Sequence, residues 1–190
     1  MDWGGVLVRM VEVVSQPNKA FWAGLAKGPA PEEHTRRFLL PFALICAVFV
    51  CLPYLRHGLI PGILVGLLTA GLLCGLPYAM YRSADAFATG MGGVGYGPQV
   101  LYLWGFLQIP VGIGLLLGAI TEPFADLQVL SVVGFGYAVY LSTLFLAELY
   151  RVPEDRKRVF LGFTGFVWLL LLSTGMSFVH WVTENMWSAA

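Results

Sequence analysis

Residues 90–97 read GMGGVGYG, and Gly90, Gly92 and Gly95 satisfy the pattern G-x-G-x-x-G. In a dinucleotide loop such glycines let backbone N–H groups close on a pyrophosphate seated at the N-terminus of the next helix. That chemistry needs a strand before the loop, a helix behind it, and an acidic residue about 20 positions on. The strand and the acidic residue are absent, and the helix behind the loop is an apolar run long enough to be a membrane span. The stretch before Gly90 is an apolar run followed by YRSADAFAT, without β alternation, and another apolar run opens after the loop. The glycines therefore read as conformational freedom for a re-entering chain, and Pro98 suits the first turn of the helix that follows.

The other residues able to do chemistry are scattered. His34, His57 and His180 lie far apart, and there is no H-E-x-x-H, P-loop or nucleophile–base pair. Cys46, Cys51 and Cys74 lack C-x-x-C spacing and sit within apolar runs, where inert buried thiols are expected. Glu148, Tyr150 and Arg151 close one apolar run, and Arg82 and Asp85 follow another at helix-pair spacing. Glu122, Asp126 and Glu184 fall at run ends. No two carboxylates share the middle of a run, so a proton relay or cation path lacks its usual parts. The sequence thus predicts no catalytic residue, no metal site and no cofactor.

The elements that must position these residues are set by hydropathy. Of 190 residues 58% are apolar and 12% charged, about half the charge of an ordinary water-soluble domain, and the mean hydropathy is +0.76. The expected class is an all-α polytopic membrane protein. Five apolar runs reach the roughly 20 residues needed to cross ~30 Å of hydrocarbon: 38–55, 59–81, 99–120, 128–149 and 159–182, none holding a lysine or arginine. Isolated spans in lipid must be helices, because their backbone groups have to pair within the segment.

Orientation follows from the basic residues. Arg9, Lys19, Lys27, Arg36, Arg37, Arg82, Arg151, Arg156, Lys157 and Arg158 fall on one side of the five spans and only Arg56 on the other. The positive-inside bias then puts the N-terminus in the cytoplasm and the C-terminus outside. The balance of 11 basic and 11 acidic residues gives no net field toward nucleic acid.

Residues 1–37 form a cytoplasmic preamble. Trp3, Val6, Leu7, Met10, Val11 and Val14 recur at the spacing of one helical face, which Pro17 ends. Asp2 and Glu12 interrupt the stretch, which does not read as a cleavable signal. Such a helix either lies in the headgroup layer or packs on the bundle, and the sequence leaves both open. A second apolar cluster, Phe21, Trp22 and Leu25, precedes the linker into the spans.

Within the spans, Gly62/Gly66, Gly71/Gly75, Gly114/Gly118 and Gly134/Ala138 place small residues four apart. That spacing admits close backbone approach, within one bundle or between copies in a homo-oligomer. Thr69, Ser142, Thr143, Ser173 and Thr174 are expected to bond the preceding turn. Gln108, two residues before Pro110, would either satisfy carbonyls that the proline leaves free or line a small polar cavity.

Three stretches carry a family resemblance: QPNKAFWAGLAKGP (16–29), GGVGYGPQVLYLWGFLQIP (92–110) and GFGYAVYLSTLFLAELYRVPEDRKRVF (134–160). With the N-in, C-out order they resemble the Yip family of five-span membrane proteins, first known for binding Ypt/Rab GTPases in eukaryotes. The positions carried over are structural: Pro17, Trp22, Gly92, Gly93 and Pro110. Eukaryotic relatives are associated with membrane traffic and membrane shaping. The short preamble is more similar to prokaryotic members, which implies a bacterial inner membrane, and Rab binding is not carried over.

The functional expectation is a non-enzymatic integral membrane protein that organises membrane or partner proteins, as a scaffold or an accessory subunit. Its partners would be the bilayer and proteins in the membrane or at the cytoplasmic face, with Trp3, Pro17, Trp22, Gly92 and Gly93 as interaction or structural positions. The alternative is a small transporter or channel with a polar site near Gln108 and Pro110.

Overall fold

The computed structural model describes residues 8, 11–15, 33, 35–95, 100–121 and 127–187, and among them there is no β-strand. Trp3, Pro17, Trp22 and Pro98 lie outside the described residues. A π-helical turn, Thr35–Leu39, leads into α1 (Leu40–Tyr54), and a 3₁₀ turn, Leu55–His57, leads on to α2 (Leu59–Gly90). Then come α3 (Leu101–Leu107), α4 (Ile109–Thr121), α5 (Leu127–Leu149) and α6 (Lys157–Trp187).

Four helical segments are long and apolar enough to cross a membrane: Thr35–Tyr54, Leu59–Gly90, Val132–Leu149 and Lys157–Val179. This is the composition of an integral membrane protein. The third predicted span, 99–120, is interrupted: Gln108 forms a turn between α3 and α4, and the apolar stretch Leu103–Leu117 is shorter than a full crossing. The second run is longer than expected from hydropathy. YRSADAFAT is helical and α2 ends only at Gly90, because Ala84, Ala86 and Ala88 favour helix after the apolar run has ended.

Interhelical contacts fix the chain directions. Gly62 of α2 lies against Leu55 and Cys51, and Gly66 lies against Ala47, so α1 and α2 are antiparallel. A β-carbon at Gly66 would stand 3.1 Å from the Ala47 carbonyl oxygen, the close approach that small residues permit in lipid. Phe38 packs on Phe106 with tilted rings and centroids 4.6 Å apart, and Gly112 lies under Phe42, so α3 and α4 run parallel to α1. Gly134 of α5 meets Pro110 at the head of α4. Phe87 meets Phe163, and Leu72 meets Gly175, so α6 is antiparallel to α2.

These directions gather the start of α1, the end of α2, the start of α3, the end of α5 and the start of α6 at one end of the bundle. Arg36, Arg37, Arg82, Arg151, Arg156, Lys157 and Arg158 all lie there, whereas Arg56 lies at the other end. We call it the basic end.

The described piece of the preamble, residues 11–15, is helical and docks on α5. Val13 is fully buried, and the Tyr137 hydroxyl donates to the Val14 carbonyl at 2.9 Å. Val11 and Val14, from the predicted apolar face, point outward instead. The contact lies twelve residues from the last residue of α5, Leu149, or ~18 Å along the helix at 1.5 Å per residue. This piece therefore packs on the bundle, well away from the basic end.

Candidate functional site

The glycine-rich stretch caps a helix. Gly92 has φ +84, a left-handed conformation that suits glycine. Its N–H bonds the Thr89 carbonyl at 3.1 Å, and the Gly93 N–H bonds the Ala88 carbonyl at 2.7 Å. These paired bonds are a Schellman motif, which satisfies carbonyls that the last turn leaves without partners.

A second Schellman motif closes α5, built from other residues. The Arg151 N–H bonds Glu148 O at 3.1 Å and the Val152 N–H bonds Ala147 O at 3.0 Å, with Arg151 at φ 47 in the left-handed position. A non-glycine residue there carries a strain of roughly 1–2 kcal/mol, which marks this turn as held by its surroundings.

The two caps lock together. The Val94 N–H donates to the Tyr150 carbonyl at 2.8 Å, and Arg156 Nη1 donates to the Met91 carbonyl at 3.1 Å. A β-carbon at Gly93 would stand 2.6 Å from the Tyr150 carbonyl oxygen and 3.0 Å from that of Ala88. Gly92 supplies an angle and Gly93 supplies room. Beside this junction an open cleft of ≈ 460 Å³ is lined by Arg82, Asp85, Ala86, Thr89 and Gly90. Gly95 lies over its Asp85 and Thr89 side chains.

Tyr150 extends the junction inward. Its ring is fully buried and packs on Phe160 at 5.6 Å. Burial pushes the Tyr150 phenol well above its ordinary range, opposed by the neighbouring Trp104 indole and reinforced by Asp85 and Tyr81. Trp104 meets Trp168 edge to face at 5.7 Å, and Trp168 also meets Phe135 at 5.4 Å. Phe160, Thr164 and Trp168 are spaced four apart, on one stripe of α6. Thr164 Oγ1 and Trp168 Nε1 are buried without a hydrogen-bond partner among the described residues.

The helix break lies one turn above Trp104. Pro110 has no N–H to give the Phe106 carbonyl. Gln108 turns its own N–H to the Gly105 carbonyl at 3.2 Å, and its side-chain Nε2 reaches the Trp104 carbonyl at 3.4 Å. The amide thus takes the carbonyl that a regular helix would pair with the Gln108 N–H, four residues back, rather than the one freed by Pro110. Regular pairing resumes when the Gly112 N–H bonds Gln108 O at 2.8 Å. Gln108 is fully buried, and its Oε1 has no partner among the described residues. A β-carbon on Gly134 would overlap the Pro110 carbonyl, and one on Gly112 would overlap the Phe42 ring. Near the break α4 thus packs closely on α1 through Gly112 and on α5 through Gly134.

Of the sequence-predicted positions, Gly92 and Gly93 thus belong to the basic-end junction and Gln108 and Pro110 to the break. Trp104, Thr164 and Trp168 were missed, and Tyr150 was noted only for its place at the end of an apolar run. A tyrosine or tryptophan in a span scores as apolar, yet each carries a polar group that seeks a partner when buried. Ser142, Thr143 and Ser173 bond the carbonyls of Val139, Tyr140 and Leu170, as expected. Among the described residues, no three His, Cys, Asp or Glu side chains gather as a metal-binding group.

No protein-family model matches this chain, and no curated protein or solved structure matches it either.

Proposed function

We propose that this chain is a non-enzymatic membrane protein that crosses the bilayer five times and presents its basic end to partner proteins on the cytoplasmic side. The observation that carries the reading is the locked pair of helix caps, Val94 to Tyr150 and Arg156 to Met91. They hold the exposed Arg82, Arg151 and Arg158 on a fixed surface rather than on loose loops. A preformed surface binds without first ordering itself. In this reading α3 and α4 together form the third crossing, the N-terminus is cytoplasmic and the C-terminus lies outside. The five-span order expected from the sequence and the glycine pair Gly92–Gly93 favour a prokaryotic Yip-like protein of the bacterial inner membrane. The protein serves there as a scaffold or accessory subunit.

The experiment is site-specific photo-crosslinking in the native membrane. A crosslinker at Arg151 should give a discrete protein adduct, while one at the outward-facing Leu67 should give lipid adducts. Lipid adducts alone at Arg151 would refute docking at this end.

A second reading, a small transporter, is favoured by one observation: the buried Oε1 of Gln108, without a hydrogen-bond partner among the described residues, at a break in an apolar helix. Gln108→Leu would then reduce a solute flux measured in liposomes, and an unchanged flux would remove this reading's support.

A further inference from the structure

Helix α2 has 32 residues, ~48 Å at 1.5 Å per residue, and outreaches the ~30 Å of hydrocarbon. Residues 59–81 hold no charged side chain, and Arg82 is the first after them. The last turns, from Arg82 to Gly90, therefore stand in the headgroup layer, which adds roughly 5–7 Å to each side of the bilayer, and beyond it. The open cleft of ≈ 460 Å³ lined by Arg82, Asp85, Ala86, Thr89 and Gly90 begins at that level. Below it the same outward face of α2 continues into the span as Leu67, Gly71, Gly75 and Tyr78, all exposed. Nothing stands within 4 Å of a β-carbon placed on Gly71 or Gly75, so this face forms a shallow apolar furrow. Gly71 lies eleven residues below Arg82, ~16 Å, or about half the hydrocarbon thickness.

The charges in the cleft are ordered by depth. Arg82 adjoins the hydrocarbon, and Asp85 lies three residues further out, ~4.5 Å along the axis. The Thr89 hydroxyl gives its proton to the Asp85 backbone carbonyl at 2.8 Å, so toward a ligand its oxygen can only accept. A β-carbon on Gly95 would stand 3.0 Å from Asp85 Oδ2 and 3.2 Å from Thr89 Oγ1, so these two acceptors converge. They lie in the last turns of α2, where the helix dipole also favours a cation. The cleft thus suits an anion at its deeper end and a hydrogen-bond-donating cation at its outer end.

We infer that this cleft and furrow bind one phospholipid whose headgroup carries a primary ammonium beside its phosphate, as in phosphatidylethanolamine. The phosphate meets the Arg82 guanidinium, the ammonium meets Asp85 and Thr89, and an acyl chain lies along Gly75 and Gly71. Side chains three apart on a helix stand ~5–6 Å from each other, about the reach of an ethanolamine from phosphate to ammonium. Phosphatidylglycerol offers Asp85 no cation, and the quaternary ammonium of phosphatidylcholine offers Thr89 no N–H. The site shares only Arg82 with the proposed docking surface, and it does not depend on which side of the membrane the basic end faces.

The test uses the full chain, purified in detergent and incubated with an equimolar mixture of phosphatidylethanolamine, phosphatidylglycerol and phosphatidylcholine that share the same acyl chains. Native mass spectrometry reads the lipid retained. Phosphatidylethanolamine should be retained at least about fivefold over either of the others. Asp85→Asn should erase that preference, and Thr89→Val, at an exposed position, should reduce it. Arg82→Gln should lower retention of all three lipids, and Gly75→Leu, which fills the furrow, should lower it without changing the preference. Equal retention of the three lipids by the natural protein would overturn the ligand class. A preference unchanged in both Asp85→Asn and Thr89→Val would overturn the place given to the ammonium. Retention unchanged in both Arg82→Gln and Gly75→Leu would overturn the site itself.

Discussion

At Gly92, φ +84 places any β-carbon in the left-handed region, so Gly92→Ala should destabilise by about 1–2 kcal/mol. Gly93→Ala fails for a different reason. Its β-carbon meets the Tyr150 and Ala88 carbonyls, and the two caps must part by a few tenths of an ångström to admit it. Gly134→Ala pushes α5 off Pro110 and should lower stability in detergent by roughly 1–3 kcal/mol. Gly71 and Gly75 form the matching comparison, with open space where a β-carbon would go. Alanine there should be neutral or slightly stabilising, by up to about 1 kcal/mol from helix propensity. Denaturant unfolding of the five variants checks the contrast, and equal losses at Gly71 and Gly134 would contradict the packing described. Tyr150 adds a pH prediction. Its folded phenol titrates above the ordinary value of 10.0, so its contribution is intact below that pH and is lost as pH rises toward the folded value. The melting temperature should therefore fall faster above about pH 10 in the natural protein than in Tyr150→Phe.

Among the elements, what could be read in the sequence follows from the range of the interaction. The apolar runs were legible because hydrocarbon thickness sets a minimum length, and Pro110 foreshadowed the interruption after α3 because a missing N–H is a local fact. The partner that locks the α2 cap was not legible, since Tyr150 lies at the end of another helix and meets Val94 only in the fold. The Gly71/Gly75 and Gly62/Gly66 pairs look alike in sequence, yet only the second packs on α1. Spacing marks a face that can be approached closely, and the fold decides which face is used. The preamble shows the same limit: its periodicity suggested a helix, but residue 13, off the expected face, is the one that docks. Tyr137→Phe removes the bond to Val14 and should weaken that docking by about 1 kcal/mol. Faster proteolysis within residues 1–15, with the helical bundle intact by circular dichroism, would register it.

For the whole molecule, the gathering of basic residues at one end supports the proposed topology, with that end in the cytoplasm. Asp155→Cys should be labelled by an impermeant reagent only from the cytoplasmic side and Arg56→Cys only from the opposite side. Labelling of both from one side would refute it. The claim about function rests on the same end: two helix termini locked by backbone bonds make a surface suited to holding a partner. Mass spectrometry of the protein, gently extracted from its native membrane in intact assemblies, tests that claim most directly. The account predicts a second protein at fixed stoichiometry that is lost when Arg151 and Arg158 are both changed to glutamate. A chain recovered alone, or a partner retained unchanged by that variant, would contradict it.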